Sequence, residues 1–327
     1  MINTSVEISM IEAIPCGSLF KEALTFALIS DTANDLFYQL PLWCCLAAGG
    51  TPEHGRVIKA AFRLASTAAR VLDDVQDADS DQALWLKVGP AQATNSGLAL
   101  CLSAQLALGK LSALGVDSTK VATLQTTYVE TVLQMRDGQH RDLVSEPDQL
   151  ITLDECWEIM RAKTAVFFSW GCYAGALVGS GTNEANEAYA TFGHHLGLLY
   201  QLWNDLRGLH ENSQKQDLVR CKKRLPMVYA LSVARAETRE QLQKACRAAP
   251  YNRQALHELR QLILQLGAVP YLLLMAETHY QAARLALQKT AGQPKAIANL
   301  TSLLSEFRLT TKGEHFYDFN FTNTLGT

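Results

Sequence analysis

ARVLDDVQDADSD, residues 69–81, places five acids within nine residues after Leu72, at the end of a run of small and aliphatic side chains and with no basic residue among them. The stretch reads either as a solvated helix end or as a site that holds cations. If residues 54–78 form one helix, Asp73 and Asp77 share a face with Asp74 beside them, and like charges so placed repel. A divalent cation reverses that sign, because Mg2+ takes hard oxygen ligands and bridges one or two carboxylates to substrate phosphates. Alone the pattern is weak, since it arises often on solvated helix ends. A second stretch strengthens it. In GHHLGLLYQLWNDLRGLHEN, residues 193–212, Asn204 and Asp205 terminate another apolar helix. Two helices of this kind facing each other would ring the mouth of a greasy cavity with oxygen ligands. That is the geometry needed to pull a diphosphate from a hydrocarbon tail.

Working outward, the 327 residues with 48% hydrophobic content bury a large core. A net charge of −3, with no basic cluster beyond Cys221-Lys222-Lys223-Arg224, argues against nucleic acid as a partner. The eight cysteines are scattered without zinc spacing, so reduced thiols in a cytoplasmic protein are expected. The start, MINTSVEISMIEAIP, lacks a positive region ahead of an apolar one, so no secretory signal is expected. Thr164 to Gly181 is uncharged for eighteen residues, at the lower limit for a membrane span. Its small residues and the Lys163 at its start fit a buried core helix better.

Apolar residues recur at helical spacing over 18–31, 35–48, 54–78, 92–113, 118–140, 152–179, 185–210, 224–234, 237–247, 252–266, 270–288 and 295–307. Gly, Pro, Asp and Ser clusters punctuate them, and no alternating strand pattern occurs. The expected fold is all-α: an N-terminal segment 1–17, one helical domain 18–310 and a C-terminal tail 311–327.

The landmarks, in order, resemble the trans-isoprenyl diphosphate synthase (polyprenyl synthetase) superfamily. DDVQD resembles its first aspartate-rich motif. Gly138-Gln139 with Asp142-Leu143 resembles its GQ-x-x-DL segment, and Lys163-Thr164 its KT pair. Tyr200-Gln201-Leu202-Trp203-Asn204-Asp205 resembles the FQ-x-x-DD that opens the second aspartate-rich motif. Asp217, Lys222 and Pro226 resemble the D-x-x-x-GK-x-x-x-P that follows. The resemblance implies a helical bundle around a deep apolar cavity and a homodimer. It implies Mg2+ on Asp73, Asp74, Asp77 and Asp205, with Asn204 able to add an amide oxygen. It places Lys163 and Lys222 on the diphosphate and Gln201 at the allylic end. Arg161 and Arg308 are further diphosphate candidates by position alone. A surface lysine and a helix-capping lysine are the ordinary alternatives for Lys222 and Lys163.

The chain departs from that pattern where chain-elongating members hold isopentenyl diphosphate. Phe37 and Leu40 stand where Lys and Arg are expected, Ser66 stands at the His position, and no arginine follows Asp77 until Arg136. An anionic co-substrate would meet almost no counter-charge there. NDLRGLHEN, in turn, resembles a degenerate metal motif of class I terpene synthases, with Asn212 at its last position. Ala68 and Ala69 lie one turn below Asp73, and their small size leaves room for a prenyl tail of roughly fifteen to twenty-five carbons. Phe167, Phe168, Trp170 and Trp203 are candidates for cation–π contact with a carbocation, or plain core. Three readings follow: a terpene synthase that ionises a prenyl diphosphate and converts the cation to a terpene; a prenyltransferase to a non-diphosphate acceptor; and a non-catalytic synthase subunit. The intact DDVQD argues against the third.

Overall fold

Helical periodicity in the sequence becomes helix in every predicted segment of the computed structural model, which describes residues 6–30, 35–77, 83–144, 151–179, 182–210, 217–290 and 292–308. In chain order the helices are α1 (Val6–Glu12), α2 (Ser18–Ile29), α3 (Asp35–Tyr38), α4 (Leu40–Ala47), α5 (Pro52–Asp77), α6 (Leu84–Val88), α7 (Pro90–Gly109), α8 (Ser118–Val144), α9 (Leu153–Met160), α10 (Val166–Val178), α11 (Asn183–Gly208), α12 (Leu225–Val233), α13 (Ala236–Ala248), α14 (Arg253–Gln265), α15 (Ala268–Gln288) and α16 (Pro294–Glu306). No strand occurs among the described residues.

The differences have local causes. The stretch read as one helix over 152–179 is interrupted by a π-helical turn, Arg161–Ala165, between α9 and α10. The 35–48 segment divides at Gln39, just ahead of Pro41, which is compatible only with a helix's first turn. The segment 1–17 contains α1, whose Met10 and Ile11 enter the core; seven residues are too few to show a period. The predicted tail 311–327 lies outside the described residues.

At the centre, α10 packs against α4, α5, α8 and α11. Its apolar run, the stretch long enough to suggest a membrane span, is core: Phe167, Cys172, Ala174 and Ala176 are buried. Gly175 allows this approach, because a Cβ there would drive into the Pro41 carbonyl on α4. Among the described residues, the single helix long and apolar enough to cross a membrane is instead Pro90–Leu114, that is α7 with the turn after it, and 39% of its most apolar eighteen-residue window is buried. A smaller apolar cluster joins Met227 of α12 to Leu242 of α13 and Leu259 and Ile263 of α14.

The expectation of eight reduced thiols is corrected at one pair. Cys221, in the loop before α12, and Cys246 of α13 form a disulfide with Cα atoms 5.5 Å apart. Because α13 folds back beside that loop, residues distant in sequence meet; the other six cysteines are free.

Between α11 and α15, His195 and His279 share a hydrogen bond through their Nδ1 atoms at 3.1 Å, with the rings stacked. Trp157 packs edge-on to His279 and donates its indole N–H to the Tyr271 hydroxyl. Burial pushes both histidines from the ordinary 6.5 down to about 4, His194 adding to the effect on each and His195 and Arg161 adding further at His279. At neutral pH both are therefore uncharged, one donating and one accepting. A folded-state value below the unfolded one means that stability is complete above about pH 6.5 and is lost as pH falls toward 4. The melting temperature of the wild type is expected to drop across that window more steeply than that of a His195→Gln/His279→Gln variant. Parallel curves would contradict the assignment.

Candidate active site

The acidic end of α5 divides by helical geometry. Asp73 and Asp77 lie one turn apart on one face, whereas Asp74, rotated by about 100°, turns away. Arg70 pairs with Asp74 at 3.5 Å and also donates to the Ala27 carbonyl at the end of α2. Asp73 and Asp77 instead enter a closed circuit of charge. Lys163, from the π turn, lies 3.6 Å from Asp73 and 3.0 Å from Asp142 on α8. Arg224 reaches both Asp142 oxygens, at 3.2 and 3.0 Å, and donates its Nε–H to Asp217 at 3.4 Å. Lys222 lies 3.7 Å from Asp217 and 2.7 Å from Asp77, which returns the circuit to α5. Four carboxylates thus alternate with three cations.

Two backbone features bring the circuit together. Gly138 lets α8 cross the π turn in contact: a Cβ there would lie 2.6 Å from the Lys163 nitrogen and 2.9 Å from the Ala162 carbonyl carbon. A π turn sets side chains off the α-helical register, and such turns are frequent at functional sites. At the other side, the Asp217 carbonyl accepts from the Lys222 N–H and Cys221 adopts φ 56°, so the loop folds tightly and delivers Lys222 and Arg224 inward. Cys221 stands where the superfamily pattern has glycine.

Asp205 is also in the wall, but not as an open ligand. One of its oxygens accepts from Gln201 Nε2 at 2.9 Å and the other from the Leu225 N–H that begins α12, at 3.2 Å. These contacts fix its position between α11 and the start of α12. Gln201 also accepts from the Thr164 hydroxyl at 3.2 Å. Asn204 is half-buried beside them.

Electrostatics differ around the circuit. Burial raises Asp73 above the ordinary carboxylate range, outweighing Lys163 and Arg136, and Asp77 and Asp142 add to the rise. Asp142 is equally subject to burial, yet Arg224 and Lys163 hold it below that range. Arg224 is pushed upward because Asp142 and Asp217 outweigh its own burial. Asp73 thus has less positive charge around it than it can use. This hard-oxygen donor set, short of cation on the α5 side, fits Mg2+. Among the described residues, no three acids or histidines are gathered closely enough to hold a metal as they stand; Lys163 and Lys222 lie between the acids.

Other predicted residues fall elsewhere. Arg161, two residues before Lys163, lines a separate groove of about 740 Å3 with Arg141, Glu158 and His194. Arg308 lies over the Tyr280 ring. Trp203 faces the Arg207 guanidinium. Ala68 shares the face of Leu72, which meets Gly97 of α7, so it belongs to that helix contact; Ala69 lies one turn below Asp73. The floor lies deeper, at Phe62, three turns or roughly 16 Å below Asp73. Its ring stacks on Phe167 at 4.2 Å. A pocket of about 10 Å3 lies beside the circuit, lined by Asp142, Lys163, Gln201, Asp205 and Arg224.

Phe37 packs edge-on to Phe168 and Tyr200 and tilted against Phe307, with centroids 6.0, 5.2 and 5.3 Å away. Leu40 is fully buried. An aromatic box therefore forms around a position where chain-elongating members carry a cation. Sequence reading missed Arg224, Arg70, Arg136 and Phe62. The basic run 222–224 was visible, but not which of its side chains turns inward.

Gly138→Ala is expected to displace the π turn, lower the melting temperature and weaken diphosphate binding, because the neighbour it meets is backbone and cannot rotate away. An unchanged variant would show that the α8 crossing does not position Lys163.

Among curated proteins, a (2E,6E)-farnesyl diphosphate synthase of Mycobacterium tuberculosis is 28% identical over 196 residues, 57% of this chain and 53% of that protein. Tryptophan prenyltransferase ComQ of Bacillus spizizenii is 27% identical over 182 residues, 56% of this chain and 60% of that protein. In both, the match spans little more than half the relative's length. A polyprenyl synthetase structure from Streptomyces coelicolor A3(2) superposes with TM-score 0.82 at 22% identity, covering 93% of this chain and 96% of that one, which shows the shared fold. The polyprenyl synthetase family profile matches residues 38–263. The chain belongs to the polyprenyl synthetase family.

Proposed function

We propose that this chain ionises an allylic prenyl diphosphate with Mg2+ and transfers the prenyl group to an acceptor that carries no diphosphate. The observation that carries this reading is the aromatic box of Phe37, Phe168, Tyr200 and Phe307 in place of the cations that would hold isopentenyl diphosphate. The similarity to a protein named tryptophan prenyltransferase supports an electron-rich aromatic acceptor such as indole.

Asp73 and Asp77, with the amide of Asn204, would hold Mg2+, and Asp74 would act from the α2 side. Bound Mg2+ supplies positive charge that stabilises the departing diphosphate. The protein's own part is an exchange of partners. With their carboxylates engaged by a cation, Lys163 and Lys222 would be free to bind phosphate oxygens, while Arg224 is anchored on Asp142 and Asp217. The C–O bond breaks with its electron pair leaving on the diphosphate. The acceptor's π electrons form the new C–C bond, and its ring proton passes to diphosphate oxygen. Phe62 and Phe167 close the tail channel and the aromatic box excludes water.

Purified protein with Mg2+ would be given geranyl, farnesyl or geranylgeranyl diphosphate, alone, with isopentenyl diphosphate, or with an indole or tryptophan-containing peptide. Diphosphate release and product masses are followed. A prenylated acceptor is the expected product. Elongated diphosphates would overturn the reading. Asp73→Asn is expected to lower turnover about a hundredfold or more, and Asp74→Asn less, since Asp74 answers to Arg70. A terpene synthase is the second reading, favoured by Asn204-Asp205 at the end of α11; Glu211 and Asn212 lie outside the described residues. Hydrocarbon or alcohol formed without acceptor would establish it instead.

A homodimer completes the proposal. Leu98, Leu102 and Leu106 recur every four residues along α7 and are mostly exposed, with Leu133 of α8 also 64% exposed. A second copy of this chain is the occupant that fits, since stripes of this kind on self-associating proteins are self-complementary. Light scattering is expected to give twice the chain mass, and Leu102→Lys/Leu106→Lys half of that. A monomeric wild type would remove the dimer from the proposal.

A further inference from the structure

Each cation of the charge circuit is held by two carboxylates: Lys163 by Asp73 and Asp142, Lys222 by Asp77 and Asp217, Arg224 by Asp142 and Asp217. Arg136 on α8 is different. Its Nη1 is buried and has no hydrogen-bond partner, and none of the circuit's ion pairs includes it. Arg136 is half-buried, and a guanidinium nitrogen withdrawn from water without a partner is costly, so Nη1 is suited to an anion that arrives later.

Its place can be read from the helices. Arg136 lies three residues before Gln139, on the same side of α8. Gln139 is 2% exposed and donates to Gln76 of α5 at 3.0 Å, so that side of α8 looks onto the acidic end of α5. Gln76 follows Asp73 by three residues as Gln139 follows Arg136, which brings Arg136 to the level of Asp73. The charge of Arg136 is indeed felt at Asp73. Lys163 lies 3.6 Å from the same carboxylate. Arg136 and Lys163 therefore both bear on the carboxylate from which a diphosphate would be handled, and Arg136 alone of the four cations has no acid to give up first.

We propose that Arg136 is a substrate-binding residue that holds the diphosphate of the prenyl substrate through its unpartnered guanidinium Nη1, together with Lys163. The inference rests on the reading of the site as one for prenyl diphosphates and names a contact that the family landmarks do not include. A guanidinium offers a planar set of donors matched to phosphate oxygens. It enters ready to bind, whereas the lysines must exchange partners. Arg136 would thus take up the ligand before metal has rearranged the acids.

The test is calorimetric titration of the full chain, in Mg2+, with inorganic diphosphate and with a non-ionisable farnesyl thiolodiphosphate. Wild type is compared with Arg136→Gln, Arg136→Lys and, as a control in the separate groove, Arg141→Gln. Loss of a charge-assisted contact is expected to weaken both ligands about ten- to hundredfold in Arg136→Gln, with partial recovery in Arg136→Lys and no change in Arg141→Gln. The ligand-free melting temperature of Arg136→Gln should not fall, because an unpaired buried charge is removed. Unchanged affinity in Arg136→Gln would overturn the proposal, and so would a lowered melting temperature with unchanged affinity, the signature of a structural counter-ion to Asp73. Weakened farnesyl thiolodiphosphate with unchanged inorganic diphosphate would also overturn it, since Arg136 would then contact the tail. A wild type that binds neither ligand would bring down the reading of the site itself.

Discussion

Half-buried carboxylates that cannot all reach water must be neutralised, and the architecture follows from how this chain does so. Asp73, Asp77, Asp142 and Asp217 come from α5, α8 and the loop before α12, and Lys163, Lys222 and Arg224 tie them into one circuit. Desolvation makes each unpaired charge costly, so breaking one partner at a time is strongly unfavourable. The circuit consequently joins helix ends that share few apolar contacts. It also stores the potential for function, because a cation and an anion entering together can take over those pairings without leaving a charge exposed to the apolar interior.

Beneath the circuit the opposite constraint rules. Phe62, Phe167, Phe168, Tyr200 and Phe37 touch in a continuous aromatic series between α5, α10, α11 and α3. These rings close the bundle core with a single polar atom among them, the Tyr200 hydroxyl. A hydrocarbon tail entering here must displace ring contacts, which makes the tail channel a matter of side-chain rearrangement. The same rings exclude water from a cation, and a prenyl cation quenched by water is lost to transfer. A charged mouth above a greasy interior is thus one design with two requirements, and the π turn marks the level at which one gives way to the other. Lys163 and Thr164 serve the mouth, and Phe167, a turn further along α10, serves the interior.

The aspartates, the lysine before an uncharged helix and the loss of cations at Phe37 and Leu40 were all legible in the sequence, as was the all-helical fold. Residue type and spacing along one helix suffice for these, because a helix's own geometry converts spacing into a shared face. Lys163 and Lys222 were likewise legible by their order among landmarks, and the structure places both in the circuit. Arg224 was not, since Lys222, Lys223 and Arg224 are equivalent until the loop conformation aims each one. Asp205 shows the reverse: its type suggested a ligand, but its oxygens are occupied by Gln201 and the start of α12.

What the sequence by itself determined is therefore local: which segments are helices, where their apolar faces run, and which helix ends carry acid. Tertiary structure alone decided which charges meet, that Asp74 turns to Arg70 while Asp73 turns to Lys163, and that Phe62 stacks on Phe167 below them. It also paired Cys221 with Cys246 and sent Arg161 to another face. The physical reason is the same in each case. A residue's direction relative to its own helix follows from a fixed rotation per residue, but its neighbours follow from how helices cross. Those crossings depend on close approaches such as Gly138 against the Lys163 backbone and Gly175 against the Pro41 carbonyl, and no spacing along one segment records them.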